Sequence, residues 1–343
     1  MGVTLKQLAA SLDLSPTTVS RALNGFPEVN AKTRARVMAA ALKANYHPNT
    51  RAKSLATGRA QAIGHVIPAS TSHEIVNPVF ADFIAGAGES YARAGYEMVL
   101  RITPDDQEEN AYRDLLARGS IDGIILHGPR VQDARVAMLA EMGVPFLVHG
   151  RTSGVNAPYS WLDINNQRSF ARATQFLLDF DHRRIALING IEGMDFAQRR
   201  RQGYLQALAA AGIAPDPLLM RQSEMTEPYG YRAAQEMMQL PDPPTAFIAS
   251  SMIVAYGLRR GLTDLGLKLG RDVSVIAHDD ELSYLPNYGD VPTFTATRSS
   301  VREAGRRAAR MLLRLVDDPD CGPLTELMET ALILGASTGP APR

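Results

Sequence analysis

Thr4-Leu5-Lys6-Gln7-Leu8-Ala9-Ala10-Ser11-Leu12-Asp13-Leu14-Ser15-Pro16-Thr17-Thr18-Val19-Ser20-Arg21-Ala22-Leu23-Asn24-Gly25 carries two helix starts separated by one short break. Thr4 and Gln7 have the spacing of a capping box, each side chain serving the other's backbone amide. Leu5, Leu8, Ala9 and Leu12 then recur at helical spacing and make one buried stripe. Asp13-Leu14 interrupts the pattern. Ser15 restarts it as an N-cap, and Pro16 takes the first helical position, where a missing amide costs nothing. Val19, Ala22 and Leu23 form the buried side of this second helix, which Asn24-Gly25 ends. Two short helices joined by a tight turn make a helix-turn-helix unit. A third helix is expected from after Asn30 to about Asn45, closed by Tyr46 and Pro48.

The exposed side of the second helix holds Pro16, Thr17, Thr18, Ser20 and Arg21. A helix in this position lays its first residues against base edges in the major groove. Arg21 can pair bidentately with guanine, Thr17 can hydrogen-bond or touch a thymine methyl, and Ser20 or Thr18 can hold phosphate. Charge agrees. Residues 1–60 carry nine Lys and Arg against Asp13 and Glu28, a net +7, which leaves −7 on the rest of a chain that is neutral overall. A basic head on an acidic body suits a polyanion-binding module joined to one that binds no polyanion. A generic three-helix bundle with a polar surface would not need both signals.

Working outward, the sequence resembles the LacI-type repressors. The resemblance rests on Val3-Thr4-Leu5 with Leu8-Ala9, on the run from Ser15 to Gly25, on residues 29–37, and on Tyr46-His47-Pro48-Asn49. Arg51-Ala52-Lys53-Ser54-Leu55-Ala56-Thr57-Gly58 is similar to the hinge helix of that family, which folds on operator DNA. Leu55 stands at the place of the family's minor-groove wedge, with Ala52 beside it; such a wedge kinks DNA by unstacking a base step. The DNA-contacting set expected is Thr4, Ser15, Pro16, Thr17, Thr18, Ser20, Arg21, Asn24, Asn49, Arg51, Ala52, Lys53 and Leu55.

Beyond Gly58, apolar strand-like runs alternate with amphipathic helices. The runs are 63–67, 97–102, 123–126 and 145–148, then 184–188, 245–248 and 273–277; helical stretches include 79–94, 198–210 and 254–265. Strand-helix alternation argues for parallel sheets covered on both faces. The fold expected is an all-α helix-turn-helix head plus an α/β body of two Rossmann-like lobes of periplasmic-binding-protein type. The domains expected are 1–49 for the head, 50–60 for the hinge, 61–335 for the body and 336–343 for a loose tail. The resemblance implies three passages between lobes, near Leu162, Val291 and Leu324. That assigns about 61–161 and 292–323 to one lobe, and about 162–291 and 324–335 to the other.

Ligands of such folds bind beyond the carboxyl ends of the strands. Trp161, Asp163, Arg200, Ser250 and Asp279 are the candidates there. Carboxylates and a guanidinium suit sugar hydroxyls, because each offers two hydrogen bonds in a plane. Trp161, the sole tryptophan, can stack on a sugar ring or serve as a core or interface aromatic. Arg200, read as opening its helix, and Asp279 match the arginine and aspartate that hold effector in the resembled family. Ser250-Ser251 stands where many members carry Asn-Asp, implying a pocket of different shape. His149-Gly150-Arg151-Thr152, Pro158-Tyr159-Ser160-Trp161 and residues 227–231 are similar to a branch that regulates α-glucoside uptake.

Other classes fit less well. There is no G-x-S-x-G elbow, P-loop or helix-opening G-x-G-x-x-G, so an enzyme is not expected. One cysteine, Cys321, excludes internal disulfides, and His65, His127, His149 and His278 lack metal-ligand spacing; no metal or cofactor is expected. No apolar run reaches membrane length and no secretory leader is evident, so a cytoplasmic, nucleoid-associated protein is expected. The expected function is a homodimeric repressor of carbohydrate-uptake genes. It binds palindromic operator DNA under control of an α-glucoside, or else of a non-sugar metabolite or a protein co-regulator.

Overall fold

A computed structural model describes residues 3–23, 25–46, 58–68, 78–104 and 107–342. Asn24, Asn49, Arg51, Ala52, Lys53 and Leu55, and with them the hinge expectation, lie outside the described residues. The chain forms two compact units, Met1–Ala60 and Gln61–Arg343.

The first unit packs α1 (Leu5–Ser11), α2 (Pro16–Leu23) and α3 (Ala31–Lys43) around Leu8, Ala9, Leu12, Val19, Ala22, Val29, Val37 and Ala41. The capping box forms as its spacing requires: the Gln7 amide donates to Thr4 Oγ1 at 3.3 Å and the Thr4 amide to Gln7 Oε1 at 2.9 Å. The tight turn is a left-handed cap. Asp13 takes φ 52°, its amide reaches the Ala10 carbonyl, and the Leu14 amide reaches Ala9. This is the Schellman pattern, which consumes the orphan carbonyls at the end of α1. Ser15 then caps α2 through the Thr18 amide at 3.0 Å. Asn45 (φ 46°) ends α3 by the same device, with Tyr46 bonded to Ala41. The helix therefore stops at Lys43, ahead of the Asn45 limit expected.

The second unit contains two six-stranded sheets. The first takes β1 (Ala62–Pro68), β2 (Glu97–Thr103), β3 (Gly123–His127), β4 (Phe146–His149), β5 (Trp161–Ile164) and β11 (Thr325–Met328), in the order β11-β5-β4-β3-β1-β2. The second takes β6 (Ile185–Asn189), β7 (Met220–Gln222), β8 (Ala246–Ala249), β9 (Ser274–Asp279), β10 (Thr295–Arg298) and β12 (Ala331–Ile333), in the order β12-β10-β9-β8-β6-β7. All pairings are parallel except β10 with β12. The helices are α4 (Pro78–Ala94), α5 (Glu108–Ala117), α6 (Ala134–Glu141), α7 (Asn166–Asp179), α8 (Asp195–Ala210), α9 (Glu227–Met237), α10 (Met252–Asp264) and α11 (Val301–Asp317). Two α/β lobes result, as the alternation predicts. In the first, α4 and α11 touch backbone to backbone: a Cβ on Gly86 would lie 2.0 Å from the Arg302 carbonyl oxygen, and one on Gly305 2.1 Å from that of Phe83.

Three expectations need correction. The passages between sheets follow Ile164, Arg298 and Met328, not Leu162, Val291 and Leu324, because β5 and β11 pair together at the edge of the first sheet and β10 pairs β9 in the second. The tail is not loose. Ser337 exchanges main-chain and side-chain bonds with Val275 and Thr295, and the Gly339 carbonyl accepts from His182 at 3.0 Å. These bonds satisfy polar groups that the second lobe buries. Finally, α8 begins at Asp195, so Arg200 stands in its second turn rather than at its start.

Candidate functional site

On the first unit, Ser15, Pro16, Thr17 and Arg21 are exposed along α2, with Thr18 and Ser20 half-buried beside them. The opposite side is anchored by Val19 and Ala22. Ser15 Oγ and Thr18 Oγ1 lie 2.8 Å apart, and Thr4 Oγ1 donates to Gln7 Oε1 at 3.0 Å, so two candidate contacts, Thr4 and Ser15, already serve as caps and a third, Thr18, is bonded to one of them. Two of the basic residues also act internally. Arg34 donates to the Phe26 and Val29 carbonyls, and Arg36 to that of Leu12, holding α3 against the turn that sets the angle of α2. What remains outward is a short polar face with a guanidinium at its far end, the stereochemistry needed to reach base edges.

On the second unit, the candidates gather where the strands of both sheets end. Arg200 is 5% exposed. Its Nε donates to Asn166 Oδ1 at 2.8 Å and its Nη1 to the Ser250 carbonyl at 2.6 Å. Its guanidinium lies over the rings of both Phe170 and Phe196, at 5.0 and 4.9 Å. Burial pushes its pKa down to about 10 against the pull of Asp280 and Asp163. Asp163 accepts from Arg151 Nε at 2.8 Å, yet burial outweighs that and raises its carboxyl. The Arg151 guanidinium also covers one face of Trp161 at 4.8 Å, so only the other face could meet a sugar. Ser250 offers its carbonyl to Arg200 and keeps a buried hydroxyl with no described partner, while Ser251 caps α10.

The acidic pair divides. Asp279 has both oxygens engaged, by Arg298 Nε and by the Glu281 amide, each at 2.9 Å. Asp280 lies 3.3 Å from His278 Nε2, close but poorly aligned for a hydrogen bond. Burial pushes the Asp280 carboxyl up, but His278, Arg200 and His149 together hold it below the usual carboxylate range.

On the first lobe Asp280 acts on His149, behind which lies a buried cluster of neutral histidines. His65 Nδ1 and His127 Nε2 lie 2.9 Å apart, His65 Nε2 meets Tyr91 OH at 3.2 Å, and His149 stacks on Phe83 at 4.0 Å. Burial lowers His65 to about 3 and His149 to about 4, the latter against the pull of Asp280.

The lobes are joined across the rim of the cleft by main chain. The Val131 amide donates to Gly193 at 3.2 Å and the Asp195 amide to Pro129 at 3.0 Å. The Asp195 carboxylate accepts from the Ser153 amide and from Arg199 Nε. The reading of the sequence overlooked Asp195, Arg199, Arg151, Asn166 and His149 as members of one site. His149 and Arg151 carried a signal in the His149–Thr152 stretch, and Asp280 carried one as the second half of an Asp-Asp pair at a strand end.

A profile of bacterial regulatory proteins of the lacI family matches residues 4–49, and one of a periplasmic binding protein-like domain matches residues 174–338. The chain is 44% identical over 343 residues to the HTH-type transcriptional regulator AglR of Rhizobium meliloti, covering 100% of this chain and 96% of AglR. It is 36% identical over 278 residues to the HTH-type transcriptional regulator RafR of Escherichia coli, covering 81% and 82% of the two chains. Among solved structures, the lac repressor dimer bound to operator and an anti-inducer matches with TM-score 0.83 at 25% identity, covering 98% of this chain and 99% of that one. A transcriptional regulator CelR–cellobiose complex matches with TM-score 0.72 at 29% identity, with the same coverage. The chain belongs to the lacI family of bacterial regulatory proteins and is a DNA-binding transcriptional regulator.

Proposed function

We propose that the protein is a homodimeric repressor of carbohydrate-uptake or catabolic genes, acting on palindromic operators in the cytoplasm, with its operator affinity set by an α-glucoside in the cleft between the lobes. The observation that carries the effector class is the balance of charge there. Arg151 meets Asp163, Arg199 meets Asp195, and Arg200 is drawn to Asp280 and Asp163. His149, and the histidines buried behind it, are neutral at pH 7. Among the described residues the cleft has no surplus cation, which suits an uncharged ligand rich in hydroxyls better than a phosphorylated one. The cellobiose held by a relative of similar length is a ligand of that chemistry.

Trp161, Asp163, Arg200, Ser250 and the Asp279–Asp280 pair are the effector contacts in this reading. Pro16, Thr17, Thr18, Ser20 and Arg21 read the operator, with Thr4, Ser15, Asn24, Asn49, Arg51, Ala52, Lys53 and Leu55 completing the contact. The two sites communicate because effector shifts the lobes that the hinge must accommodate, a coupling typically of about 1–3 kcal/mol.

Thermal shift of the purified protein against maltose, sucrose, trehalose and sugar phosphates tests the effector class. A ligand at about a hundred times its Kd adds about 2.7 kcal/mol of stability. A shift with one α-glucoside and none with sugar phosphates is the expected result. Silence from every sugar removes the sugar effector and leaves a non-sugar metabolite or a protein co-regulator.

A further inference from the structure

We infer that Arg34 is a positioning residue for DNA reading: it fixes the end of α2 that carries Arg21, rather than holding a phosphate. The inference rests on Arg21 reading operator DNA.

Arg34 belongs to the basic surplus of the head, and a cation near a recognition helix ordinarily reads as a phosphate contact. Its guanidinium is instead turned into the head. Nη2 donates to the Phe26 carbonyl at 2.8 Å and to the Val29 carbonyl at 3.2 Å, and Nε is buried with no described partner. Both carbonyls belong to one tight turn. The Val29 amide returns to the Phe26 carbonyl at 3.2 Å, and the Val29 side chain enters the head core. One nitrogen from α3 thus ties both ends of that turn.

The same turn closes α2. The Phe26 amide donates to the Arg21 carbonyl at 3.1 Å and the Gly25 amide to the Ala22 carbonyl at 3.3 Å, around a left-handed Gly25 at φ 75°. In this Schellman pattern, Phe26 meets Arg21 through its amide and Arg34 through its carbonyl. A helix of eight residues has a last turn that frays unless something outside it holds the end, and Arg21 stands in that last turn. The start of α2 is secured separately, by the Ser15 cap and by Arg36 at the Leu12 carbonyl. Loss of Arg34 therefore frees the end with Arg21 and leaves the start seated. A bidentate base contact depends on angle, whereas attraction to phosphates does not.

The test uses full-length wild type, Arg34→Met, Arg34→Lys, Arg21→Ala and the Arg21→Ala/Arg34→Met double variant. Each is titrated across a salt series with a duplex that wild type selects from a random pool, and with an unrelated duplex of equal length. Amide exchange of Phe26 and Val29 is measured on the DNA-free proteins. Arg34→Met is expected to lower the ratio of specific to non-specific affinity about tenfold. Non-specific affinity stays within about twofold, with its salt slope unchanged. In the Arg21→Ala background the same substitution costs the ratio little further, because the group it positions is gone. Arg34→Lys keeps the charge on a shorter reach. It decides the matter if Arg34→Met fails to fold: its loss of discrimination should accompany faster exchange at Phe26 and Val29, with the salt slope kept. A slope smaller by about 0.9 with the ratio preserved would make Arg34 a phosphate contact and overturn the inference. Additive losses at Arg21 and Arg34 would overturn it too. If Arg21→Ala leaves the ratio at its wild-type value, the reading of Arg21 falls on its own. Exchange then still decides the clamp: unchanged protection of Phe26 and Val29 in Arg34→Met would show that none exists.

Discussion

In the head, the groups that position the face proposed to read DNA are bonded over three residues, Thr4 to Gln7 and Ser15 to Thr18, and the side chains proposed to read it, Thr17 and Arg21, are exposed. In the body, Arg200, Asp163 and Asp279 are at most 5% exposed, and besides near neighbours each is held by a partner 12 to 50 residues away in the chain. Local grammar builds the first site and tertiary packing builds the second. Charge therefore plays different parts. In the head it is displayed to a polyanion, and a substitution is read in binding. In the body it is enclosed and matched, and a substitution is read first in stability.

The largest effect expected from this contrast lies at Arg135. Its guanidinium is buried between Asp133 at 2.7 Å and Glu108 at 3.1 Å, and it also reaches the His127 and Gly128 carbonyls at the end of β3. Arg135→Ala takes the bonded cation from buried Asp133 and leaves Glu108 the longer contact to Arg130 at 3.7 Å, a loss of about 3 kcal/mol or more. Urea unfolding followed through Trp161 reports on the body alone, since no other tryptophan exists. Hydrogen exchange of α1 to α3, measured on the same full-length protein, should stay as in wild type. Equal loosening of the head would end the idea that the two units are energetically separate.

Acid comes next. His65, His127 and His149 are neutral in the folded body because burial holds each of them down, His65 to about 3 and His149 to about 4. The unfolded chain protonates them near pH 6.5. Between about pH 6.5 and pH 4 the unfolded state therefore binds more protons, and stability falls as the pH drops, by at most about 1.4 kcal/mol per histidine per pH unit. The body's Tm should decline between pH 7 and pH 5, and His149→Gln should flatten the decline. The described residues of the head include no histidine, so its exchange should change far less. A flat Tm profile over that range would mean the histidines are solvated, and the neutral cluster behind His149 would go with them.

Arg21→Ala should produce the smaller, opposite signature. An exposed side chain away from any cap changes stability by no more than about 0.5 kcal/mol. Loss of a bidentate base contact costs about 1–3 kcal/mol of discrimination. Selection of binding sites from a random duplex pool, followed by competition against non-specific DNA, measures it. Undiminished preference for the selected site would remove Arg21 from the reading face.

The same contrast explains what could be read in advance. Caps and turn signals named both ends of α1, the start of α2 and most of the head core, because each signal acts within five residues. The parallel sheets were visible from apolar runs such as 123–126 and 273–277, since buried strands need little alternation. The strands 161–164, 325–328 and 331–333 were not, being three or four residues long and paired with partners far along the chain. The passages between lobes were misplaced for that reason. In the cleft, residue type pointed to Arg200 and Asp163. Nothing in the local sequence could say that Asp279 would be taken by Arg298, or that Ser337 would fasten the tail, because those bonds exist only once β10 lies beside β9.

The smallest effect tests whether local grammar is all that Thr4 contributes. Its hydroxyl caps α1, and it also stands in the expected DNA-contacting set. Thr4→Ala should cost the head about 1 kcal/mol, with faster exchange in α1 and no change in Trp161-monitored unfolding of the body. Thr4→Ser keeps the hydroxyl and so the cap, and should restore exchange to the wild-type level. DNA affinity separates the two roles. If affinity follows the exchange rate through both variants, Thr4 acts by holding α1 behind the recognition helix. If Thr4→Ala weakens DNA binding while exchange in α1 stays at the wild-type level, the hydroxyl meets DNA directly, and the capping box is secondary to that contact.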